Sequence, residues 1–164
     1  MNSQQRPLTS RAGELLAVLA DRAESVATAE SLTAGLLCAA LTDVPGASSV
    51  VRGGLIVYAT DLKRSLAGVD DDLLAEHGPV HPAVARQLAH GARSRCDAVW
   101  GVGLTGVAGP AVQGDSAAGT VHIGVAGPGI VTCRSLQLPG ERSEVRQYAV
   151  DAAIEGLLEH VAGS

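Results

Sequence analysis

Apolar residues recur along this chain with two periods, one typical of helices and one typical of strands. Helical spacing is found in three long segments, residues 10–22, 82–95 and 142–161. The apolar positions of the first two segments are Ala12, Leu15, Leu16 and Leu19, then Val84, Leu88 and Ala92. The residues that the third segment is expected to bury are Val145, Tyr148, Ala149, Ala152, Ala153 and Leu157. The pattern therefore predicts three amphipathic helices.

Short apolar runs rich in β-branched residues predict strands between these helices. They are residues 25–29, 50–58, 98–104, 120–126 and 130–138. The dipeptide at 128–129, Pro-Gly, predicts a hairpin between the last two strands, and the Gly-Gly pair at 53–54 indicates a bulge or a close neighbour. Shorter helices are expected after the first strand up to about residue 42, and over residues 60–67 and 70–76.

Strand and helix signals that alternate with short connections are typical of an α/β domain. We expect a single domain over residues 1–164, folded as a three-layer α/β/α sandwich. Its sheet should be mixed and mostly parallel, because the hairpin makes one strand pair antiparallel. Residues 1–9 are expected to be flexible, since the first helical pattern starts near residue 10.

Composition excludes several classes of protein. With 164 residues, 46% hydrophobic and 18% charged, the chain has the make-up of an ordinary soluble domain. No apolar run approaches the roughly eighteen residues of a membrane span, and residues 1–11 are polar, so we expect a cytoplasmic protein without a membrane partner. A net charge of −5 and 2% aromatic residues argue against a nucleic acid partner, which requires basic patches and stacking side chains.

The sequence predicts neither a metal site nor an organic cofactor. Cys38, Cys96 and Cys133 are widely spaced and are interpreted as small buried hydrophobic residues. His77 and His81 are separated by Gly-Pro, so one helical face cannot present both to a metal. The G-x-G-x-x-G match at 101–106 is followed by a loop without the helix and the acidic residue that a dinucleotide site requires.

Candidate chemistry lies in three segments that each follow a predicted strand, residues 28–35, 58–63 and 104–110. Ligands of open α/β sheets bind at the carboxyl ends of strands, so we expect these segments to meet. Ser31 would be a nucleophile at a helix N-terminus, Lys63 its base and Tyr58 a proton relay. Lys63 stands out because the other eleven basic residues are arginines, which cannot act as bases. The alternatives are an N-cap at Ser31 or Thr33, a surface lysine and a tyrosine at the sheet surface.

The same segments resemble the C-terminal domain of the competence/damage-inducible CinA family. The resemblance spans about residues 10–160, in order and without large gaps. The matching segments are residues 28–31 (Thr-Ala-Glu-Ser), 41–48, 54–58 with Lys63, 66–69, 77–80, 105–110 (Thr-Gly-Val-Ala-Gly-Pro), 119–121, 139–142 and 145–146. Stand-alone members of this family are nicotinamide mononucleotide amidohydrolases with a three-layer α/β/α fold.

The resemblance implies hydrolysis of the nicotinamide carboxamide to nicotinic acid mononucleotide and ammonia, with Ser31 as nucleophile and Lys63 as base. Backbone amides after Ser31 or near Thr105 and Gly106 would hold the oxyanion. Arg142, Arg146 and Arg52 are candidates for the substrate phosphate, and Arg142 and Arg146 open the last helix on one face. The remaining expected substrate-binding residues are Thr33, Gly35, Ser48 and Gly109. No cofactor is required by this chemistry.

The chain departs from the family pattern at three places. Leu32 and Ala34 stand where the family usually has Cys and Gly, His81 stands where it usually has Ser, and residues 111–118 replace a glycine-rich loop that commonly ends in Lys-Pro. The alternatives are therefore a catalytically weak nucleotide-binding or competence- and DNA-damage-associated interaction module, or an amidase for another small amide. We also expect a homo-oligomer, because strands of small residues and few aromatics leave apolar sheet surface to cover.

Overall fold

The computed structural model describes residues 8–164, with side chains described from residue 11 onward. The helices are α1 (Leu8–Asp21), α2 (Leu36–Thr42), α3 (Thr60–Ser65), α4 (Asp71–His77), α5 (Pro82–Arg95) and α6 (Arg142–Gly163). The strands are β1 (Val26–Glu30), β2 (Val51–Ile56), β3 (Trp100–Gly106), β4 (Thr120–Gly127) and β5 (Ile130–Gln137). A short 3-10 helix, Ala47–Ser49, precedes β2. Flexibility was predicted for residues 1–9. Residues 1–7 of this range lie outside the described residues, whereas residues 8 and 9 are helical and belong to α1.

The five strands form one mixed sheet in the order β2-β1-β3-β4-β5. β1 pairs in parallel with β2 and β3, whereas β4 runs antiparallel to both β3 and β5. Four strands therefore point the same way, and the predicted hairpin joins β4 to β5 at residues 128–129. This confirms the predicted α/β class with a mixed sheet.

Helices cover both faces of this sheet. On one face α1, α2 and α6 pack together over the larger core cluster, which includes Leu15, Leu104 and Leu157. On the other face α5 packs against β1, β3 and β4, and its Val84 and Leu88 belong to the second cluster. The three-layer architecture thus arises because each strand buries alternate residues against helices on opposite sides. None of the helices in the described part of the chain is both long and apolar enough to cross a membrane.

The pair Gly53 and Gly54 produces both features that the sequence indicated. Val26 pairs with Val51 and Ala27 with Gly53, so β2 contains a bulge at Arg52. Gly53 has a φ of 141°, which L side chains rarely adopt. A Cβ at Gly54 would collide with Oγ1 of Thr28 on β1.

Two predictions about burial are wrong. Tyr148 is 39% exposed, because its position on α6 lies at the margin of the apolar face that Val145 and Ala149 bury. The three cysteines are half-buried and not fully buried, although Cys96 packs against the second core cluster.

Glycines in the central strands allow α5 to approach the sheet at backbone distance. A Cβ on Gly103 would lie 2.5 Å from the Ala85 carbonyl oxygen and 2.6 Å from Cβ of Leu88, both on α5. Gly101 and Gly124 face the backbone of the same helix in the same way. Larger residues would therefore push α5 away from β3 and β4.

Gly103→Ala is expected to lower the free energy of unfolding by about 1–3 kcal/mol, because overpacking against a helix backbone cannot be relieved by a side-chain rotation. Denaturant titration measures this. Gly13→Ala, in α1 with open space around its Cβ, is the matched control and should raise stability by up to about 1 kcal/mol. Equal stability of the Gly103→Ala variant and the wild type would contradict close packing of α5.

Candidate active site

The three junction segments meet at the carboxyl ends of β1, β2 and β3, as the sequence predicted. They enclose a cleft of about 510 Å³. Of the residues singled out from the sequence, those that line the cleft are Ser31, Tyr58, Lys63, Thr105, Gly106, Gly109 and Arg142. The sheet holds two of the segments in place, since the Ser31 amide donates to the Leu104 carbonyl at 3.0 Å and the Val57 amide to the Glu30 carbonyl at 2.9 Å.

Ser31 and Lys63 form a buried pair at the bottom of this cleft. The Nζ atom of Lys63 lies 3.0 Å from Oγ of Ser31 and donates to the carbonyl oxygens of Val57 at 2.8 Å and Tyr58 at 3.2 Å. Lys63 is 1% exposed and Ser31 is 7% exposed. This disagrees with the alternative of a surface lysine on a solvated helix.

The surroundings of Lys63 make its neutral form easier to reach than that of an exposed lysine. Among the described residues no carboxylate pairs with its amine, and burial lowers the pKa of Lys63 to about 8. The ammonium form donates a hydrogen bond to each of the three oxygens. After loss of one proton, two N–H groups remain for the two carbonyls and the lone pair is available to the Ser31 hydroxyl. This is the arrangement that a general base requires.

The N-cap alternative for Ser31 and Thr33 is wrong. α2 begins only at Leu36, and its N-cap is Gly35, with a φ of 98°. The amides of its first turn are bound by the buried Glu30 carboxylate, which accepts from Gly35 and Leu37 at 3.0 Å each and from Cys38 at 2.8 Å. The partial positive charge at the N-terminus of α2 is therefore balanced by the Glu30 carboxylate, and this helix end does not serve as an anion site for Ser31.

The turn that follows Ser31 offers amides of its own. The Ala34 amide donates to the Ser31 carbonyl at 3.1 Å and closes the turn. Within residues 8–164, the amides of Leu32 and Thr33 have no hydrogen-bond acceptor. Leu32 lines the cleft next to Ser31. The Leu32 amide is accordingly the candidate oxyanion donor. The Thr105 hydroxyl donates to the Pro79 carbonyl at 2.6 Å.

Arg142 reaches the cleft from the start of α6. Its guanidinium donates to the Gly109 carbonyl at 2.9 Å and to the Tyr58 hydroxyl at 3.2 Å, and it carries further N–H donors that these contacts leave free. The N-terminus of α6 carries a capping box of Glu141 and Glu144, and the two carboxylates disfavour a phosphate at this helix end. The Tyr58 hydroxyl is bonded to Arg142, and no hydrogen bond joins it to Ser31 or Lys63.

Five of the predicted substrate-binding residues lie outside the cleft. Thr33 is fully buried and Gly35 belongs to the α2 cap. Arg146 donates from Nε to the Leu32 carbonyl at 2.8 Å and from Nη2 to the Thr33 carbonyl at 3.2 Å, so it does not share an anion with Arg142. Ser48 and Arg52 line a separate surface depression, and Arg52 donates to the Cys96 carbonyl at 2.9 Å.

Sequence reasoning missed two groups that shape the site. Glu30 orders the turn after β1, and its signal is an acidic residue at the end of an apolar strand, five to eight positions before the amides it binds. The Val57 carbonyl orients Lys63, but a main-chain oxygen leaves no signal in a sequence.

Two departures from the family pattern have a clear place in the structure. His81 is the N-cap of α5, where its Nδ1 accepts from the Ala83 amide at 3.2 Å. Burial and the nearby His77 lower the pKa of His81, which favours the neutral form that an N-cap acceptor needs. Part of the altered loop, Ala111, Val112 and Gln113, lines the cleft, so this departure falls on the wall of the candidate site.

Comparison with known families shows to which of them the chain is related. Residues 8–161 match the model of the CinA C-terminal domain. The chain belongs to this family. The CinA-like protein of Frankia casuarinae is 48% identical over 151 residues, which cover 92% of this chain and 35% of that protein. The CinA-like protein of Mycolicibacterium gilvum is 43% identical and is covered to 40%. The chain thus spans little more than a third of the curated CinA-like relatives it matches.

Solved structures of the CinA superfamily share the whole fold. A Klebsiella pneumoniae protein described as a competence-damaged protein (CinA) superfamily protein has a TM-score of 0.93 at 26% identity, with 97% of this chain and 100% of that chain covered. The competence/damage inducible protein CihA from Agrobacterium tumefaciens has a TM-score of 0.90 at 32% identity, with 97% and 98% covered. These solved chains match the present one almost end to end.

Because Lys63 is the only lysine of the chain, its titration can be followed without assignment. In protein labelled with ¹³C at the lysine ε-carbon, the signal is expected to titrate with a midpoint near 8, as burial lowers this pKa. The same protein unfolded in urea is the control and should titrate near the usual value of about 10.4. A midpoint above about 10 in the folded protein would show that the amine is solvated.

Proposed function

We propose that this CinA-family domain hydrolyses the carboxamide of nicotinamide mononucleotide, releasing ammonia and nicotinic acid mononucleotide. The observation that carries the proposal is the buried pair of Ser31 and Lys63, with 3.0 Å between Oγ and Nζ, at the bottom of an open cleft. The family resemblance supplies the substrate, and the geometry supports the chemical step.

The first half of the reaction acylates the serine. Neutral Lys63 takes the hydroxyl proton of Ser31 as Oγ attacks the carboxamide carbon. The resulting oxyanion is bound by the Leu32 amide in the turn after Ser31. Lys63 then passes its proton to the leaving nitrogen, the C–N bond breaks and ammonia departs, leaving nicotinate as an ester of Ser31.

Water completes the turnover. It enters the place that ammonia has left, Lys63 takes one of its protons, and the hydroxide attacks the ester carbon. The bond to Oγ breaks and the serine recovers a proton from Lys63. The two carbonyls that hold Nζ keep the amine directed at Oγ through both halves, so one base serves twice.

The nucleotide part of the substrate would extend toward Arg142. Arg142 lines the cleft near the surface and carries a permanent positive charge. A guanidinium binds phosphate through parallel hydrogen bonds. Tyr58, 59% exposed and bonded to Arg142, supplies an aromatic face at the same rim. Its role is therefore proposed as substrate contact and not as proton relay.

Release of ammonia from nicotinamide mononucleotide by the purified protein tests the activity, and two variants test the mechanism. Ser31→Ala should abolish turnover. Lys63→Arg should be as inactive as Lys63→Ala, because a guanidinium keeps the charge but cannot accept a proton. Arg64→Lys, one position along on the exposed side of α3, is the matched control and should keep full activity.

The pH profile of the same assay gives an independent check. Lys63 acts in its unprotonated form, so kcat/KM should rise with pH and level off above about 8, where its pKa lies. Turnover by Lys63→Arg equal to that of the wild type, or a profile that falls between pH 7 and 9, would remove Lys63 from the role of base.

Arg142→Ala is expected to raise KM for nicotinamide mononucleotide by about tenfold or more, as loss of a charge-assisted contact does, while KM for nicotinamide riboside changes little. Steady-state kinetics with both substrates measure the difference. Arg134→Ala, on the exposed strand β5, is the control for a lost positive charge. An equal loss of efficiency for both substrates would mean that Arg142 does not bind the phosphate.

A further inference from the structure

Arg146 lies on α6 one turn after Arg142, but its guanidinium is turned to the back of the Ser31 loop. Nε donates to the Leu32 carbonyl at 2.8 Å and Nη2 to the Thr33 carbonyl at 3.2 Å. Within residues 8–164, no carboxylate lies within ion-pair distance of this guanidinium. Its charge therefore acts on the two carbonyls, in a half-buried position where solvent screens it weakly.

The turn held by Arg146 does not have a relaxed backbone. Ala34 has a φ of 47°, in the left-handed region that favours glycine, and the next residue, Gly35, has a φ of 98°. A non-glycine residue keeps this conformation only where its surroundings impose it. The two hydrogen bonds from Arg146 supply such a constraint from outside the turn.

Each carbonyl bound by Arg146 leads to one of the unoccupied amides. The Leu32 carbonyl shares its peptide group with the Thr33 amide. The Thr33 carbonyl shares its peptide group with the Ala34 amide, which donates to the Ser31 carbonyl at 3.1 Å, and that carbonyl shares its peptide group with the Leu32 amide. A cation at a carbonyl oxygen withdraws electrons from the peptide, so its N–H becomes a stronger donor, and the effect passes along a chain of hydrogen bonds.

We propose that Arg146 is a positioning residue, which holds the turn after Ser31 and polarises its unoccupied amides, of which the Leu32 amide lies at the cleft and would donate to the oxyanion. The inference rests on the proposed serine mechanism and adds a residue to it. Arg146 does not line the cleft, so it acts through the main chain and not on the substrate. The two arginines of α6 thus have separate tasks, since Arg142 faces the cleft and Arg146 supports its floor from behind.

Arg146→Ala is expected to lower kcat for nicotinamide mononucleotide by about 10- to 100-fold, somewhat less than the loss of a whole oxyanion donor, with KM changed by less than about threefold. Arg142→Ala should show the opposite division. Arg134→Ala is the charge control. Arg146→Lys keeps the charge but reaches one carbonyl only, so its kcat should lie between those of the wild type and Arg146→Ala.

Thionicotinamide mononucleotide separates an effect on the oxyanion from a general loss of structure. Sulfur accepts hydrogen bonds poorly, so the wild type should hydrolyse the thioamide much more slowly than the amide. In Arg146→Ala the ratio of the amide rate to the thioamide rate should shrink toward that of the uncatalysed reaction, because the donor to the oxyanion is weakened. An unchanged ratio, a kcat within twofold of the wild type, or a loss that appears in KM alone would overturn the role of Arg146.

Labelling by a fluorophosphonate distinguishes failure of this inference from failure of the proposed function. The reagent reacts with an activated serine and places its phosphoryl oxygen where the oxyanion would lie. If the wild type does not hydrolyse nicotinamide mononucleotide but is labelled at Ser31, the proposed substrate is wrong, and slower labelling of Arg146→Ala than of Arg134→Ala still supports the inference. Equal labelling rates overturn it. A wild type that is neither active nor labelled overturns both the proposed function and the inference about Arg146. If thermal melts show that Arg146→Ala is unfolded, Arg146→Lys takes its place in these measurements.

Discussion

The amine of Lys63 is buried where three strands end. Within the described part of the chain, its hydrogen-bond partners there are the hydroxyl of Ser31 and two main-chain carbonyls. Burial without a carboxylate partner disfavours the charged form, so the pKa falls to about 8. The same carbonyls that accept from the ammonium hold the neutral amine in place. The candidate chemistry therefore depends on a desolvated cation that the fold tolerates because every N–H of the amine has an acceptor.

Close packing of the layers makes this burial possible. Glycines at 101, 103 and 124 let α5 rest directly on the backbone of β3 and β4, and the segment before this helix forms one wall of the cleft. The Thr105 hydroxyl joins β3 to this wall through the Pro79 carbonyl. On the other face, the Glu30 carboxylate orders the turn that carries Ser31. Both faces of the sheet thus contribute to the edge at which Lys63 is buried, and the glycines of the sheet allow the close packing beside it.

Much of the fold could be predicted from the sequence. Helices α1, α5 and α6 follow from apolar spacing, the β4–β5 hairpin from Pro-Gly, and the bulge in β2 from Gly-Gly, because each pattern acts over neighbouring residues. The start of α2 was placed too early, since the sequence does not show that Glu30 caps this helix from the end of a strand. Tyr148 was expected to be buried because helical spacing does not define how wide the covered face is.

For the candidate site, the sequence by itself determined which residue types follow the strands, and from this came the prediction that Ser31, Tyr58 and Lys63 meet at one edge of the sheet. Only the tertiary structure decided their environment. Burial of Lys63, the direction of its carbonyl partners and the opposite orientations of Arg142 and Arg146 depend on contacts between residues far apart in the chain. Four-residue spacing places both arginines on one face of α6, but the surfaces that each guanidinium reaches come from other elements, and a local pattern carries no information about them.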